Sequence, residues 1–397
     1  MKKVLFVQTT LEPPGGASMV AAWMIEALKK DNSVSILTWT PPNFEEINRF
    51  YGTSLNGSEI DIHYVNPVLR GIINLDPYPG TFQRTAYLMR LCRRVGKDYD
   101  VILTADSEID FGRRGIQYVH YPYMHAKGLS ITDAAWHRKL AGVFDGSYRP
   151  WMFVSGFSYD RMRDNLTLVN SNWTGDKVKE FYGMRTITVY PPVPDDFPDV
   201  SWEEKEDGFV CVGRFHPAKR LEEVIEILSY VRTSTPKLHL HIIGSQAIEP
   251  EGREYYKRLK GLARQNDSWI SLHENLPRRE LMSLVSRQKY GIHAHRDEHF
   301  GIAVAEMLKA GCIPFVPNGG GQTEIVGGDE RLVYRTEKEA VEKVIRVITN
   351  PGEQTSIRSY LDSRRELFST EKFMTRIREI VRQFQGAASE GQRISAR

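Results

Sequence analysis

Apolar residues along the chain fall into short unbroken runs separated by stretches with helical spacing. Residues 4–7 form the first run, closed by Gln8-Thr9-Thr10. A run this short with polar flanks predicts a buried strand. A loop follows over 9–16, ending in Pro13-Pro14-Gly15-Gly16. Between Ser18 and Lys30, apolar Ala21, Ala22, Met24, Ile25 and Leu28 recur at helical spacing. Residues 34–37 are again strand-like. Strand, glycine-rich loop, helix and strand make a βαβ opening, and that predicts a parallel sheet. Strand-like runs at 101–103, 116–119, 166–169 and 187–189 alternate with helical stretches near 82–94, 149–163 and 174–182.

The segment Tyr190-Pro191-Pro192-Val193-Pro194-Asp195-Asp196-Phe197-Pro198 interrupts this alternation. It is proline-rich and then acidic, as a linker between domains would be. A second α/β series follows, with strands predicted at 209–212, 238–243, 270–272, 290–293 and 313–316. Its helices are predicted near 220–232, 252–264, 278–287 and 302–309. The fold class is therefore α/β, with two Rossmann-like domains facing across a cleft, the usual place for a ligand. The expected division is 1–194, 195–369, a final helix over 370–385, and a small polar tail over 386–397 that frays.

Composition narrows the function. The chain has 397 residues, 41% hydrophobic and 26% charged, with a net charge of +3. That charge does not argue for nucleic acid. Three cysteines, Cys92, Cys211 and Cys312, without a C-x-x-C pair, fit a reducing compartment. The first apolar run is too short for the core of a signal peptide. No run of about 18 apolar residues is present to span a bilayer. A cytoplasmic protein, or one peripheral at the inner face of a membrane, is expected.

Residues 298–326 carry the densest chemistry. Glu298 and Glu306 stand eight positions apart, and Phe300-Gly301 between them opens a helix that Gly311 can stop. At about 1.5 Å per residue the carboxylates lie roughly 10 Å apart. That is about the reach from the ribose of a nucleotide sugar to its hexose. The N–H groups at the helix start would face a diphosphate between them. A Gly319-Gly320-Gly321 turn and Glu324 follow.

Four other groups add to this. Val212-Gly213-Arg214-Phe215-His216-Pro217-Ala218-Lys219-Arg220 runs from a strand end into a helix. Arg214 and Lys219 would face a ligand there and stabilise charge on a departing diphosphate; Arg220 is expected to face solvent. Gly15-Gly16 lets the backbone approach a ligand, although the dinucleotide fingerprint is absent. A strand delivers His120 to its carboxyl end within Gln117-Tyr118-Val119-His120-Tyr121-Pro122-Tyr123, where it can donate to a sugar hydroxyl or move a proton. His293-Ala294-His295 with Asp297, Glu298 and His299 looks like a metal cluster. No matching second cluster is evident, so no metal is expected; His299 is read as lining a sugar pocket.

These residues together resemble the retaining GT-B glycosyltransferases of family 4. The E-x7-E with Phe-Gly inside it, the Gly-Arg…Lys loop, and Gly320-Gly321-x-x-Glu324-Ile325-Val326 carry the resemblance, strongly over about 208–330. Tyr118-Val119-His120-Tyr121-Pro122, Val189-Tyr190-Pro191-Pro192, His293 and Glu298–Ile302 bring it nearest to the α-1,2-mannosyltransferases of lipid-linked oligosaccharide assembly. Ala294-His295 stands where many members have Pro-Ser, and Asp297 where the mannosyltransferases have Asn. The resemblance implies that Arg214 and Lys219 hold the diphosphate. It gives Glu298 and the backbone of Phe300, Gly301 and Ile302 to the hexose, Glu306 to the ribose and His120 to the transferred sugar. Gly15-Gly16 approaches the phosphates, and the base lies near Gly244, Ser245 and Leu276. The reaction implied is retaining and metal-free, needs no cofactor, and leaves the final helix crossing back to the N-terminal domain. GDP-mannose is the leading donor, ahead of UDP-hexoses.

The acceptor is less legible. Arg84, Arg90, Arg93, Arg94 and Lys97 surround Tyr87, Leu88, Met89 and Leu91, as in a basic helix lying on anionic lipid. Trp136, Trp151, Phe153 and Phe157 suit a core or a lipid groove. A glycan or lipid-linked saccharide acceptor is expected. A sugar-nucleotide epimerase, a phosphorylase or a non-catalytic nucleotide-sugar-binding protein are the alternatives.

Overall fold

The computed structural model describes residues 1–73, 81–126, 151, 153, 155–245 and 250–395. It divides into two compact units. One comprises Met1–Pro192 with Thr370–Arg397, the other Val193–Ser369.

The N-terminal unit is built on β1 (Lys2–Gln8), β2 (Asn32–Thr38), β3 (Asp61–Tyr64), β4 (Val101–Thr104), β5 (Ile116–Val119), β6 (Leu166–Val169) and β7 (Thr186–Thr188). They form one sheet in the order β3-β2-β1-β4-β5-β6-β7, every pairing parallel. Central strands read as continuous apolar runs because helices cover both faces of a parallel sheet. Val4, Leu5 and Phe6 are accordingly buried, as are Ile102 and Leu103. Tyr118 is buried on β5 and donates its hydroxyl to the Val189 carbonyl at 2.6 Å.

The C-terminal unit repeats the plan with β8 (Glu206–Val212), β9 (His239–Gly244), β10 (Ile270–Glu274), β11 (Gln288–Ile292), β12 (Ile313–Pro317) and β13 (Val333–Tyr334). Their order is β10-β9-β8-β11-β12-β13, again all parallel. Val210, Ile243, Leu284, Val285, Met307 and Cys312 form a core on one face.

The helix Thr370–Ser395 belongs to the N-terminal unit, where it packs on the helix Gly16–Leu28. Phe373, Ile377, Ile380 and Val381 are buried at helical spacing, and Arg382 pairs with Asp31 at 2.7 Å. The helix runs on to Ser395, past the point at 386 where a frayed tail is expected. Ala387, Ala388, Glu390 and Gln392 are good helix formers, and no proline follows Gly386, although Gly391 weakens the run.

Three further departures have physical causes. β3, Asp61-Ile62-His63-Tyr64, is too short to stand out, being a four-residue sheet edge with only partly covered residues. The helix Phe44–Tyr51 is set by its caps rather than by periodicity. Asn43 accepts from the Glu46 N–H at its start, and Gly52 turns left-handed (φ 74°) at its end. The single helix expected over 149–163 is broken. Residues 151, 153 and 155 are helical, Gly156 takes φ 59°, and Ser158 caps a new helix, Tyr159–Arg163.

The basic helix is Thr81–Val95. Its apolar face lies in the core of its own unit, through Leu88, Met89 and Cys92. Arg93 is tied to Asp110 at 2.7 Å and to the Gly156 carbonyl at 2.7 Å. The face cannot also enter lipid, so the expected interfacial helix is corrected. Arg94 and, just past the helix, Lys97 are exposed. Trp151 and Phe157 pack on the same core, whereas Phe153 is 88% exposed. Trp136 lies outside the described residues. No described helix is long and apolar enough to cross a membrane.

Truncating Ile377 should expose how firmly the last helix is held. Ile377→Ala is expected to lower unfolding free energy by about 2–4 kcal/mol, read by denaturant unfolding of the full chain.

Candidate functional site

In an open parallel sheet, ligands bind beyond the carboxyl ends of the strands. In the C-terminal unit these ends are knitted together by the backbone. The N–H of Gly213 donates to the Ile243 carbonyl at 2.9 Å and that of Phe215 to Ser245 at 2.8 Å. Asn275, in left-handed conformation (φ 52°), donates to Gly244 at 2.8 Å. Gly244 must be glycine, since a Cβ there would stand 2.0 Å from the Gly213 carbonyl oxygen. The loops carrying Arg214, Ser245 and Leu276 are thus fixed side by side. Leu276 itself packs on the unit's core.

The loop after β8 makes a single 3-10 turn, Pro217–Lys219, opened by His216, whose ring nitrogen accepts the Ala218 N–H at 3.2 Å. This turn carries the Lys219 ammonium onto the Glu298 carboxylate. Both side chains are about one-fifth exposed, at 20% and 19%. Arg214, on the same loop, is exposed. Arg220 is also largely exposed but pairs with Glu223.

Glu298 sits in a dense polar setting. Burial alone would raise its carboxyl, but the Lys219 ammonium, with His293 and His295 beside it, holds it down at about 2. The His293 ring lies 3.7 Å from the carboxylate and is pushed down by burial to about 4. Burial takes His299 to about 4 as well, and lowers His295, with Lys219 adding to the effect. At neutral pH the centre therefore holds one carboxylate, one ammonium and three neutral imidazoles.

The triple glycine explains why Glu298 stays in place. Gly320 has φ 71°, and a Cβ on it would stand 2.1 Å from the Glu298 carbonyl oxygen. Gly319 passes as closely over Arg296, its Cβ position being 2.5 Å from that carbonyl oxygen. Gly321 N–H then donates to the Glu298 carbonyl at 2.8 Å. Gln322 Nε2 donates to the His295 carbonyl at 2.6 Å, and Tyr334 OH to the His293 carbonyl at 2.5 Å.

Gly301 (φ 101°) starts the helix Ile302–Lys309. The first N–H groups of that helix, with the positive end of its dipole, lie between the two carboxylates in sequence, as an anion site requires. Phe300 is buried and stacks obliquely on Phe368 at 5.8 Å, anchoring the turn. Glu306 is 8% exposed, and its carboxylate is taken by Arg278, which also stands 3.9 Å from Asp196.

Sequence reasoning missed Arg278. Its signal is a pair of arginines, Arg278-Arg279, in the first turn of a helix, where the dipole disfavours cations. Gln322 and Tyr334 were also missed, since nothing marks a buried polar clamp in a linear pattern.

The N-terminal unit holds the remaining residues. Gly15 caps the helix Gly16–Leu28 with extended backbone (φ −178°). Its Cβ position meets nothing nearer than Ser18 Oγ at 3.5 Å. Its own unit therefore leaves room for a side chain there. His120 follows β5. Its Nε2 donates to the Ala105 carbonyl at 3.0 Å, which fixes the tautomer, and its N–H reaches Ser107 Oγ at 3.4 Å. The loop whose Ala105 carbonyl and Ser107 hydroxyl meet His120 also carries two carboxyls absent from the sequence reading. Burial raises Asp106, opposed by hydrogen bonds from Thr9. Burial likewise raises Glu108, which accepts from Tyr182 OH at 2.6 Å. Their signal is the polar Asp106-Ser107-Glu108 directly after a buried strand.

Residues 192–364 match the family model described as Glycosyl transferases group 1. This part of the chain is a group 1 glycosyl transferase domain. Curated relatives with detectable similarity are named GDP-Man:Man(3)GlcNAc(2)-PP-Dol alpha-1,2-mannosyltransferase. The Xenopus tropicalis protein is 28% identical over 228 residues, covering 51% of this chain and 46% of the relative. The Homo sapiens protein is 26% identical over 272 residues, covering 60% and 54%. The chain thus spans about half the length of the curated relatives it matches. Among solved structures, sucrose-phosphate synthase from Thermosynechococcus elongatus superposes with a TM-score of 0.68 at 12% identity, covering 97% of this chain and 100% of that one. Anabaena HepE, solved with UDP and glucose, gives 0.67 at 13% identity, covering 96% and 100%. At such identity these likenesses establish the fold, which is GT-B with two Rossmann-like halves.

Two outcomes test the centre of the group 1 domain. Glu298 has a depressed carboxyl, about 2 against an ordinary 4.5. Its contribution, about 3 kcal/mol by linkage, is therefore fully present above about 4.5 and lost as pH falls through about 2. Lys219→Met is expected to raise the Glu298 pKa, followed by carboxyl NMR titration, and to shrink that acid-side loss. Gly320→Ala is expected to lower stability by at least about 1–2 kcal/mol from the left-handed backbone alone, read as a fall in Tm, with weaker nucleotide binding.

Proposed function

We propose that this chain is a retaining hexosyltransferase that moves mannose from GDP-mannose to a lipid-linked saccharide. The observation that carries this reading is the paired arrangement on the group 1 domain. Glu298 is held ionised by Lys219 before the helix Ile302–Lys309, and Glu306 is held by Arg278 within it. A ligand with hydroxyls at both ends and phosphates between them suits such a frame. The donor and acceptor named for the curated relatives supply the choice of mannose and of a lipid-linked acceptor.

The roles follow from the groups present. Ribose hydroxyls bind Glu306, and hexose hydroxyls bind Glu298 and the backbone of Phe300 and Gly301. The diphosphate lies toward the first N–H groups of the helix, with Lys219 and Arg214 as its cations. The base lies by Gly244, Ser245 and Leu276. In the reaction the bond from the anomeric carbon to the diphosphate oxygen breaks. The acceptor hydroxyl oxygen bonds to that carbon on the same face, and its proton passes to a departing phosphate oxygen. Charge growing on that phosphate is stabilised by Lys219, Arg214 and the helix dipole, the part a metal plays elsewhere. No metal or cofactor is assigned to the donor. On the N-terminal unit, His120 is suited to meet a sugar hydroxyl and Gly15-Gly16 to let a ligand close to the backbone. We place the protein in the cytoplasm, in peripheral contact with the membrane that carries its acceptor through exposed Arg94 and Lys97.

Transfer from radiolabelled GDP-mannose to a polyprenyl-diphosphate-linked oligomannoside tests the reading. An α-linked product, undiminished by EDTA, is expected, with little transfer from UDP-glucose. Glu306→Gln should weaken GDP-mannose binding about tenfold or more by loss of a charged hydrogen bond. Free mannose without an acceptor, an altered nucleotide sugar, or transfer from UDP-glucose alone would contradict it.

A further inference from the structure

A second cluster of ligating side chains lies at the other end of the C-terminal sheet. Glu206 and His239 begin β8 and β9, whereas the donor residues follow Gly213 and Gly244, where those strands end. In the parallel register Gly208 sits opposite His239, Val210 opposite His241, and Gln288 opposite Glu206. Strand alternation therefore puts Glu206, His239, His241 and Gln288 on one face.

The side chains converge. Ligand atoms of Glu206, His239 and His241 all lie within 4.8 Å of one another. His239 Nε2 stands 3.2 Å from Glu206 Oε2. Gly208 leaves the space between them open. A Cβ on it would meet Gln288 Oε1 at 2.1 Å and His239 Nε2 at 2.5 Å, so both atoms lean over the same spot.

Two observations beyond the cluster point to a ligand. Gln288 is fully buried; its Nε2 donates to Glu206 Oε2 at 3.1 Å, yet its Oε1 has no partner among the described residues. A buried amide oxygen left unpaired is costly unless something binds it. His241 Nδ1 stands 3.0 Å from His273 Nε2. With Nδ1 given to that neighbour, His241 has Nε2 left for a metal, the usual arrangement in which an outer group fixes a ligand's tautomer.

We propose that Glu206, His239 and His241 bind a divalent transition-metal ion, with His273 orienting His241 and Gln288 orienting Glu206. Two imidazoles and a carboxylate are zinc donors, and a fourth position falls to the Gln288 carbonyl oxygen or water. Tetrahedral zinc bonds of about 2.0–2.1 Å set ligand atoms roughly 3.3 Å apart; His239 and Glu206 already stand at 3.2 Å, and a small side-chain rotation brings His241 in. The ion would pin the starts of β8, β9 and β11 and take no part in sugar transfer. The site is independent of the donor reading, and a linear sequence hides it because its members come from separate strands.

Tag-free full-length protein, stripped by chelator and titrated with zinc chloride in a calorimeter, tests this. One equivalent should bind and raise Tm, and cobalt in its place should show the visible absorption of a low-symmetry nitrogen and oxygen site. Glu206→Gln and His239→Ala, both at partly exposed positions, should keep the wild-type circular dichroism and lower zinc affinity at least about tenfold. His273→Ala should lower it about tenfold through orientation. His295→Ala should leave it unchanged. No zinc bound by the wild type would overturn the proposal. So would binding that survives Glu206→Gln and His239→Ala, or binding lost in His295→Ala instead.

Discussion

The ion pair between Lys219 and Glu298 is the interaction on which the candidate site depends. Two charges with about a fifth of their surface exposed stabilise a fold only when geometry and further contacts offset their desolvation. Here the surroundings do so. Neutral histidines line the carboxylate, and a 3-10 turn delivers the ammonium. Glycines allow the chain at 319–321 to pass directly against residues 296–298. The same features leave a charged carboxylate and a charged ammonium next to a helix start. Sugar hydroxyls seek the first, and phosphates the second and third.

The fold supplies this geometry through topology. Parallel strands collect all their carboxyl ends on one side of the sheet, so loops distant in sequence meet there. Gly213, Gly244 and Asn275 come from three strands and are joined by backbone hydrogen bonds. The amino ends collect in the same way. That is why Glu206, His239 and His241 meet although 33 residues separate the first two. One sheet thus presents two chemically distinct edges.

Much of this was legible in the sequence. Buried central strands are apolar throughout, so β1, β5, β8 and β12 stood out as unbroken runs, and the Pro-rich segment after β7 marked the change of unit. The helix Ile302–Lys309 was readable because Gly301 opens it and Gly311 follows it. What stayed hidden is what linear pattern does not encode. Edge strand β3 has only four residues, none of them buried, and the polar first residues of β8 look like loop. The partners of the site were hidden for the same reason. Arg278 on Glu306, Gln322 and Tyr334 on the 293–298 backbone, and Asp106 and Glu108 near His120 become neighbours only after folding. The basic helix misled because its apolar face suits lipid and protein core equally. The structure assigns that face to the core, with Leu88, Met89 and Cys92.

Hydrogen–deuterium exchange of the full chain with and without GDP-mannose tests the central claim most directly, since it maps the ligand without assuming an acceptor. The account predicts slower exchange over 213–219, over 298–304 at the helix start, and over 319–322. It predicts little change at 206–210 and 239–241. Protection confined to other segments, or none at a saturating donor concentration, would contradict the assignment of the donor to the Lys219–Glu298 centre.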